Sequence, residues 1–407
     1  MIILAIDTSC DDTCITILEV GSRKLELRSN IVSSQVKIHA KYGGVYPTLA
    51  KREHQRNLVP ILKKALVESR LLNSKLKIQN EKLQFEIKNL EKILEREKYL
   101  FINLKKFLKK CEKPKIDAST SSASTLSDNR RVDLITVTVG PGLEPCLWTG
   151  VNFAKALSYF WNLPIIPINH IEAHIFANFV GSNSKFKIQN SKFLFPAICL
   201  VVSGGHTQLI LMKDFGQYKI LGETRDDAAG ECLDKCARIL GLGYPGGPAI
   251  EKQAEKFKVY GLRSKVRLPR PMIHQKNFDF SFSGLKTAVL YDFKNRPPKI
   301  RQSREYIREM AAEVQQAIVD VLISKTLKAA KEYRARSIIL GGGVAANNEL
   351  RKQLKVQSLK FKVKFLVPPK IFCTDNAAMV AIAGYFNYLK GKIKNWENIK
   401  VNANLKI

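Results

Sequence analysis

Two histidines one helical turn apart form the clearest metal-binding pattern in the sequence. His170 and His174 occupy positions i and i+4 of the segment 169–174, which reads NHIEAH. On a helix this spacing puts both imidazoles on one face, where they can chelate a transition metal if further ligands arrive from elsewhere. The order of acid and histidine differs from HExxH and from HxxEH, which disfavours a zinc protease.

A single acid far along the chain is the candidate third ligand. Asp375 lies in the loop 373–379, CTDNAAM, immediately before an apolar segment that reads as a helix. Its carboxylate can either cap that helix by accepting from backbone N–H groups or offer an oxygen to the metal. The sequence leaves both roles open.

Three turns rich in glycine or hydroxyl groups are candidate anion-binding sites. Two of them join strand to strand, at 7–13 (DTSCDDT) and at 203–207 (SGGHT), and the third joins a strand to a helix at 341–350 (GGGVAANNEL). Backbone N–H groups in such turns and at helix N-termini bind phosphate, although the same residues favour any tight turn. The third turn is neither GxGxxG nor a Walker A loop, which disfavours a standard dinucleotide or P-loop site.

Two polar side chains beside glycine-rich segments are candidate ligand contacts. Asp234 lies on a predicted helix just before the loop 240–248, LGLGYPGGP, and can accept a ligand hydroxyl or pair with a neighbouring lysine. Asn347 follows the third turn and can bond a ribose or a base. Cations and aromatic rings at 267–287 suit either RNA contact through stacking or a packed aromatic loop.

The pattern of strands and helices around these residues indicates an α/β protein. The β-branched N-terminus, Ile2–Ile6, predicts a buried first strand, and the two hairpins open two halves of the chain. We therefore expect a duplicated architecture whose turns face each other across a cleft. Eight cysteines without any CxxC pair indicate buried thiols rather than a disulfide framework.

Charge and hydropathy restrict the class of protein. No apolar run approaches the roughly 18 residues that span a bilayer, and the N-terminus lacks the basic region of a signal peptide. We therefore expect a cytoplasmic protein without membrane contact. The net charge of +31 favours a polyanionic partner such as nucleic acid, although lysine enrichment from coding bias would give the same value.

One segment differs in composition from the rest. Residues 73–113 are rich in Lys, Glu, Leu and Asn without Gly or Pro, which predicts helix, and their apolar residues form a heptad seam interrupted at Asn80 and Glu97. A Ser/Thr-rich stretch follows at 118–127, and the octapeptide 73–80 recurs at 183–190 with one change. We interpret the first segment as an inserted surface arm, a protruding helix or coiled-coil hairpin, whose deletion over 73–130 leaves the protein folded.

Nine motifs occur in the order that one protein family shows. They are DTSCDDT at 7–13, YGGVYPTLAKREH at 42–54, GPGLEPCLWTGVNFAKAL at 140–157, NHIEAH at 169–174, VVSGGHTQL at 201–209, GETRDDAAGECLDKCARILGLGYPGGP at 222–248, FSFSGLKT at 280–287, GGGVAANNELR at 341–351 and CTDNAAM at 373–379. Together they resemble the TsaD family of tRNA N6-adenosine threonylcarbamoyltransferases, formerly called O-sialoglycoprotein endopeptidases or glycoproteases. The resemblance covers nearly the whole chain except about 73–130 and 182–193.

The resemblance implies a two-lobed actin-like ATPase fold (ASKHA; actin, Hsp70 and sugar kinases) with an inserted helical arm. We expect 1–72 and 131–180 to form the N-terminal lobe and 194–407 the C-terminal lobe, with the last helix returning to the first lobe. The segment 73–130 would be the Lys-rich arm and its Ser/Thr linker.

The same resemblance implies an activity. A member of this family transfers threonylcarbamoyl from threonylcarbamoyl-AMP to N6 of adenosine-37 in tRNAs that read ANN codons. It would hold one divalent metal per subunit, Fe²⁺ by family resemblance with Zn²⁺ as the alternative, and work with TsaB-like and TsaE-like subunits.

Site residues also follow from motif position. The metal ligands would be His170, His174 and Asp375. The donor would be lined by Val201, Val202, Ser203, Gly204, Gly205, Asp234, Gly247 and Asn347. The only candidate base is Asp11. The chain departs from the family's usual residues at Asp7 and Asp12 (usually Glu), Tyr46 (Val), Thr48 (Glu) and Leu233 (Phe).

Two other functions remain open at this point. A metalloprotease would depend on Glu172, between the two histidines. A non-catalytic actin-like ATPase scaffold would lack the complete set of metal ligands.

Overall fold

The computed structural model describes residues 1–21, 25–71, 80–109, 131–180, 194–259 and 265–407. Its strands are β1 (Ile2–Asp7), β2 (Asp12–Val20), β3 (Leu25–Ser34), β4 (Leu134–Gly140), β5 (Ile165–Asn169), β6 (Ala197–Val202), β7 (Thr207–Asp214), β8 (Gln217–Glu223), β9 (Ser337–Gly341) and β10 (Lys364–Leu366). Its helices are α1 (Val36–His39), α2 (Pro47–Glu68), α3 (Asn80–Ile93), α4 (Lys98–Leu108), α5 (Glu144–Trp161), α6 (His170–Phe176), α7 (Ala229–Ile239), α8 (Gly246–Val259), α9 (Ser283–Asn295), α10 (Pro298–Arg301), α11 (Arg304–Glu332), α12 (Asn348–Lys360) and α13 (Ala377–Leu389).

Two five-stranded sheets of the same topology form the frame. Their strand orders are β3-β2-β1-β4-β5 and β8-β7-β6-β9-β10. In each sheet three consecutive strands pair antiparallel, and the first of them also pairs in parallel with a later strand, β4 or β9. The last strand of each sheet, β5 or β10, adds in parallel. The predicted α/β class and its two similar hairpins are confirmed.

Helices cover both faces of the central strands. Every residue of β1, β4 and β6 is buried, and strands covered on both faces read as continuous apolar runs in the sequence. The helix α13 lies against β1, β2 and β5, where a Cβ on Gly384 would meet Thr136 Cγ2 at 2.2 Å. Glycine at this position therefore allows the close approach of α13 to β4.

The Lys-rich segment does not protrude where the structure describes it. It forms α3 and α4, separated by a break between Ile93 and Lys98, and these helices contact α5 and α2 respectively. The seam residues Leu90, Leu94 and Leu104 are at most 1% exposed. They share an apolar core with the following residues of α2 and α5: Leu58, Leu62, Phe153 and Phe160.

Polar contacts hold the same helices to the body of the protein. Asn89 donates to Tyr159 Oη at 2.8 Å, and buried Glu97 accepts from Asn152 at 3.1 Å. The expectation of a protruding hairpin was therefore wrong for residues 86–108, because its seam packs on the protein's own core rather than facing solvent. The octapeptide 183–190, residues 73–79 of its first copy and the Ser/Thr-rich stretch lie outside the described residues.

Two further expectations concern membranes and thiols. None of the helices in the described ranges combines the length and apolar character that a bilayer crossing requires. All seven cysteines within those ranges are free thiols, and six of them are buried.

Candidate metal centre

The helix α6 places the two histidines side by side. It begins at His170 directly after β5, and the Asn169 side chain caps it by accepting from Ile171 N at 2.8 Å and Glu172 N at 3.1 Å. His174 follows one turn later, and the two imidazole centroids lie 4.6 Å apart. The i, i+4 arrangement expected from the sequence is present, and both histidines are buried.

Asp375 reaches both histidines from the loop before α13. Its Oδ1 lies 3.4 Å from His170 Nε2 and 3.2 Å from His174 Nε2. One ligand atom from each of the three residues lies within 4.8 Å of the other two. The neighbouring Asn376 caps α13 by accepting from Met379 N at 3.1 Å. Of the two roles that the sequence left open for Asp375, the structure places its carboxylate beside the imidazoles.

Asp7 supports His170 from the side of the imidazole ring opposite Asp375. Asp7 ends β1 and is fully buried, with Oδ2 3.6 Å from His170 Nδ1. A carboxylate on the far ring nitrogen is the usual way to fix the tautomer and orientation of a metal-binding histidine. Sequence reasoning treated Asp7 only as part of a turn. The available signal was an acid ending a fully apolar strand.

The ionisable groups of the cluster shift one another's pKa values. Burial opposes charge on His170, but Asp375 and Asp7 outweigh it and raise the pKa of His170 to about 9. Burial would raise the pKa of Asp375, yet the two histidines hold it well below its usual value. The pKa of His174 is lowered by burial and by the charge of His170.

The residues present fit a divalent metal. Among the described residues, neither ring nitrogen of His174, nor His170 Nδ1, nor Asp7 Oδ2 has a hydrogen-bond partner, although all four atoms are buried. Buried polar atoms without partners are costly, and a cation would satisfy the ligand atoms among them. Two imidazoles and one carboxylate are a donor set typical of Fe²⁺ and of catalytic Zn²⁺.

Several glycines with open space around them lie on the turns that follow β6 and β9. A Cβ added to Gly204, Gly205 or Gly343 would meet no described atom within 4 Å. By contrast, a Cβ on Gly342, whose φ is +88°, would meet Val202 O at 2.3 Å, and one on Gly341 would meet His174 O at 2.7 Å. Packing therefore requires Gly341 and Gly342, whereas the other three leave room that a ligand can use.

The turn after β6 is held by its own hydrogen bonds. Ser203 N donates to His206 O at 2.8 Å, His206 N donates to Ser203 Oγ at 3.1 Å, and Gly230 N of α7 donates to Ser203 O at 3.2 Å. Val201 and Val202 are fully buried in β6, so their side chains pack in the cores rather than lining the donor site. Any contact from these two valines to a donor must come from the backbone.

Asp234 and Asn347 both make structural hydrogen bonds. Asp234 Oδ1 accepts from Gly246 N at 2.6 Å, which ties α7 to the first turn of α8, where Gly247 lies. A Cβ on Gly247 would meet only Leu233 Cδ1, at 3.9 Å. Asn347 caps α12 by accepting from Leu350 N at 3.0 Å and donates to Gln315 Oε1 at 2.8 Å. Both polar groups of the Asn347 side chain are thus already used in hydrogen bonds within the protein.

Four further titratable groups in this region have shifted pKa values. Burial raises the pKa of Asp11, and it raises the pKa of Asp12 to about 7. Burial, together with Asp11 and Asp234, raises the pKa of Tyr244 in the Gly/Pro loop. Burial and the charges of His170 and His174 lower the pKa of His206 to about 4. His206 was part of a turn motif in the sequence but was not recognised as a neighbour of the metal ligands.

Glu172 points to a different set of partners. Its Oε1 accepts from the Tyr218 hydroxyl at 2.9 Å and its Oε2 accepts from Asn387 Nδ2 at 3.1 Å. The carboxylate therefore links α6 to β8 and α13. It is not placed with the metal ligands as the base of a protease would be.

The aromatic loop is packed rather than exposed. Phe280 and Phe282 are fully buried and Phe278 is 7% exposed. Arg270, nearby in the sequence, is paired with Glu313 and with Asp320, the latter at 3.0 Å. Of the two interpretations of 267–287, the packed loop is correct for these phenylalanines.

Known proteins resemble this chain over its length. The family model of TsaD, tRNA N6-adenosine threonylcarbamoyltransferase, matches residues 26–78 and 117–382. A tRNA N6-adenosine threonylcarbamoyltransferase of Thermosipho africanus is 41% identical over 411 residues, covering 100% of both chains. One of Syntrophomonas wolfei is 39% identical, covering 95% of this chain and 92% of its own. Full-length HypF in its phosphate- and nucleotide-bound form has a TM-score of 0.46 at 11% identity, covering 96% of this chain and 55% of that one, which is too low to carry an argument.

Proposed function

The chain belongs to the TsaD family of tRNA N6-adenosine threonylcarbamoyltransferases, and from that premise we propose that it transfers threonylcarbamoyl from threonylcarbamoyl-AMP to N6 of adenosine-37 in tRNAs that read ANN codons. It is a transferase that modifies tRNA. The observation that carries the proposal is that His170, His174 and Asp375, from distant parts of the chain, meet beside open glycine turns.

These three residues would hold one divalent ion, Fe²⁺ by family resemblance or Zn²⁺. Such an ion supplies Lewis-acid stabilisation of negative charge on a phosphate or carbonyl oxygen. Asp7 supports the assignment, because it lies against the ring nitrogen of His170 that faces away from Asp375. Asp7 would fix the orientation of that ring.

The donor adenylate would lie along the open glycines. Gly204 and Gly205 lie in the turn between β6 and β7, and Gly343 is the first residue of the turn before α12. Because no side chain blocks them, their backbone N–H groups can approach a phosphate. Gly247 lies in the first turn of α8, which Asp234 holds through Gly246 N. Val201 and Val202 would contribute backbone atoms only, and Ser203 would position the turn.

The chemistry is acyl transfer to an amine. The adenosine N6 forms a bond to the carbamoyl carbon, the bond from that carbon to the AMP oxygen breaks, and N6 loses a proton. Because the adenine amine is a poor nucleophile, holding it in line with the carbamoyl carbon contributes more than a strong base would. Asp11 is the candidate proton acceptor, since burial raises its pKa and so increases its basicity near neutral pH.

Further parts of the proposal concern architecture and partners. Two sheets of identical topology support a two-lobed actin-like ATPase fold with lobes 1–72 plus 131–180 and 194–407, and contacts of α13 with β1 support its return to the first lobe. We also propose TsaB-like and TsaE-like partner subunits and a cytoplasmic location.

The rival functions explain less of the site. A metalloprotease would need Glu172 at the metal, whereas its carboxylate is bonded to Tyr218 and Asn387. A non-catalytic scaffold would not need two histidines and an acid with unpartnered buried atoms.

Nucleoside mass spectrometry on tRNA tests the proposal. Unmodified tRNA is incubated with threonylcarbamoyl-AMP, the partner proteins and this chain, then digested to nucleosides. We expect threonylcarbamoyladenosine with the wild-type protein and with His274→Ala, an exposed histidine away from the site, and none with His174→Ala. Absence of the product with wild type, or cleavage of a glycoprotein that depends on Glu172, would reject the proposal.

A further inference from the structure

Two exposed tyrosines stack on each other in the loop between α1 and α2. Tyr42 is 64% exposed and Tyr46 is 57% exposed. Their ring centroids lie 6.0 Å apart with an interplanar angle of 28°. Large apolar rings held in water are unfavourable, and such pairs mark contact sites for a partner with flat faces of its own.

A chain of hydrogen bonds fixes this loop to the turn that carries Asp11. Tyr46 N donates to His39 Nδ1 at 3.3 Å, and the other nitrogen of His39 lies 3.1 Å from Gln35 Oε1. Gln35 N donates in turn to Asp11 O at 3.2 Å. His39 and Gln35 are both buried, so the tyrosine loop has a defined position relative to the candidate base.

The same loop is also held by a residue from the second half of the chain. Arg238 of α7 donates to the carbonyl of Gly43, which has a φ of +68°. The helix α7 also carries Asp234, which holds the Gly/Pro loop of the donor site. The tyrosine pair therefore lies where the N-terminal turn and α7 approach each other.

The surroundings of the pair carry positive charge. Residues 35–52 contain no Asp or Glu, and Lys37 and Lys41, close to the tyrosines in the sequence, are exposed. Exposed cations without neighbouring acids on the same segment favour a polyanion. Aromatic rings beside such cations are the combination by which proteins hold unpaired RNA bases together with their phosphates.

We propose that Tyr42 and Tyr46 form a platform on which an unpaired RNA base stacks, next to the adenosine that enters the cleft. The base extends the existing stack on an outer ring face, and Lys37 and Lys41 contact the adjoining phosphates. This inference rests on the proposed function, because it takes the RNA to be the substrate of the same site. It adds a group that positions the RNA and leaves metal and donor binding unchanged.

Binding of a short RNA tests the platform. The RNA is an unmodified anticodon stem-loop with 2-aminopurine beside the target adenosine, titrated into the full chain with its partner subunits. We expect the double variant Tyr42→Ala/Tyr46→Ala to weaken binding at least fivefold, since stacking on an aromatic ring contributes about 1–3 kcal/mol per base. The quenching of 2-aminopurine fluorescence that accompanies stacking should be lost as well.

Matched variants separate stacking from other effects. Tyr42→Phe/Tyr46→Phe keeps both rings and should bind within twofold of wild type, and Tyr291→Ala removes a tyrosine that is 61% exposed on α9 and should change nothing. Metal content should be equal in all variants.

Three outcomes count against one idea or the other. Unchanged RNA affinity and quenching in the double alanine variant overturn the platform. If the double alanine variant keeps its RNA affinity and quenching but no longer assembles with the partner subunits, the tyrosines form a protein interface instead. Wild-type protein that binds no stem-loop rejects the proposed function together with the platform.

Discussion

His174 Nε2 lies 3.2 Å from Asp375 Oδ1, although α6 and the loop before α13 are separated by most of the second half of the chain. The contact exists because α13 packs beside α6 and both lie against strands of the first sheet. The packing of α13 on the first sheet thus brings Asp375 to a histidine pair that lies much earlier in the chain.

Removing one histidine should remove the metal. His174→Ala leaves one imidazole and one carboxylate, so we expect metal content, measured by inductively coupled plasma mass spectrometry after gel filtration, to fall from about one per chain to less than a tenth. His274→Ala is the matched control. Stoichiometric metal in His174→Ala would show that the ligand assignment is wrong.

Two neighbouring glycines should respond differently to alanine. Gly342→Ala forces a Cβ to within 2.3 Å of Val202 O at a positive φ, so we expect a clear loss of stability in urea unfolding. Gly343→Ala meets no described atom and should fold normally. If Gly343 faces the donor, Gly343→Ala should nevertheless weaken binding of a non-hydrolysable adenylate, measured by calorimetry. Full adenylate affinity in this variant would remove Gly343 from the proposed site.

The packing of α4 on α2 should be visible in stability. Leu104→Ala leaves a cavity in the core formed with α2 and should cost about 2–5 kcal/mol of unfolding free energy. Ile102→Ala on the same helix, where the side chain is 49% exposed, should stay within about 0.5 kcal/mol of wild type. Equal, small effects at both positions would restore the interpretation of a free arm.

Deleting 73–130 should likewise uncover apolar faces of α2 and α5 and lower the yield of soluble protein.

Acid should destabilise the protein partly through His54. This buried imidazole bonds Thr13 Oγ1 at 2.8 Å and Cys10 O at 2.9 Å, and burial lowers its pKa to about 4. The unfolded chain takes up the proton near pH 6.5, so the contribution of neutral His54 is complete above that value. It is lost as the pH falls from about 6.5 to about 4, by up to about 3 kcal/mol.

The variant His54→Gln isolates this effect, because glutamine can replace the hydrogen bonds and does not titrate. Unfolding free energies from urea titrations at pH 4 to 8 should fall more steeply for wild type than for the variant below pH 6.5. The raised pKa of Asp12 acts in the opposite direction but is common to both proteins, so it cancels in the difference. Parallel pH profiles would contradict the assignment.

Much of the fold and part of the site follow from local patterns. The spacing of His170 and His174 fixes their shared face because 3.6 residues complete one helical turn. The continuous apolar runs of β1 and β6 predict strands covered on both faces, and the two hairpins predict two similar sheets. The same seam that predicts helices over 73–113 does not tell whether its partner is another chain, a hairpin or the protein's own core.

The sequence by itself determined the elements, the pair of imidazoles and the glycine turns, since each depends on residues within a few positions of one another. Only the tertiary structure decided that Asp375 faces the imidazoles while Asn376 caps α13, and that Asp7 supports His170. It also buried Phe280 while leaving Tyr42 in solvent. These outcomes depend on how helices pack on two sheets. Such packing joins residues that are far apart in the chain, and no pattern within a short stretch of sequence indicates which of them will meet.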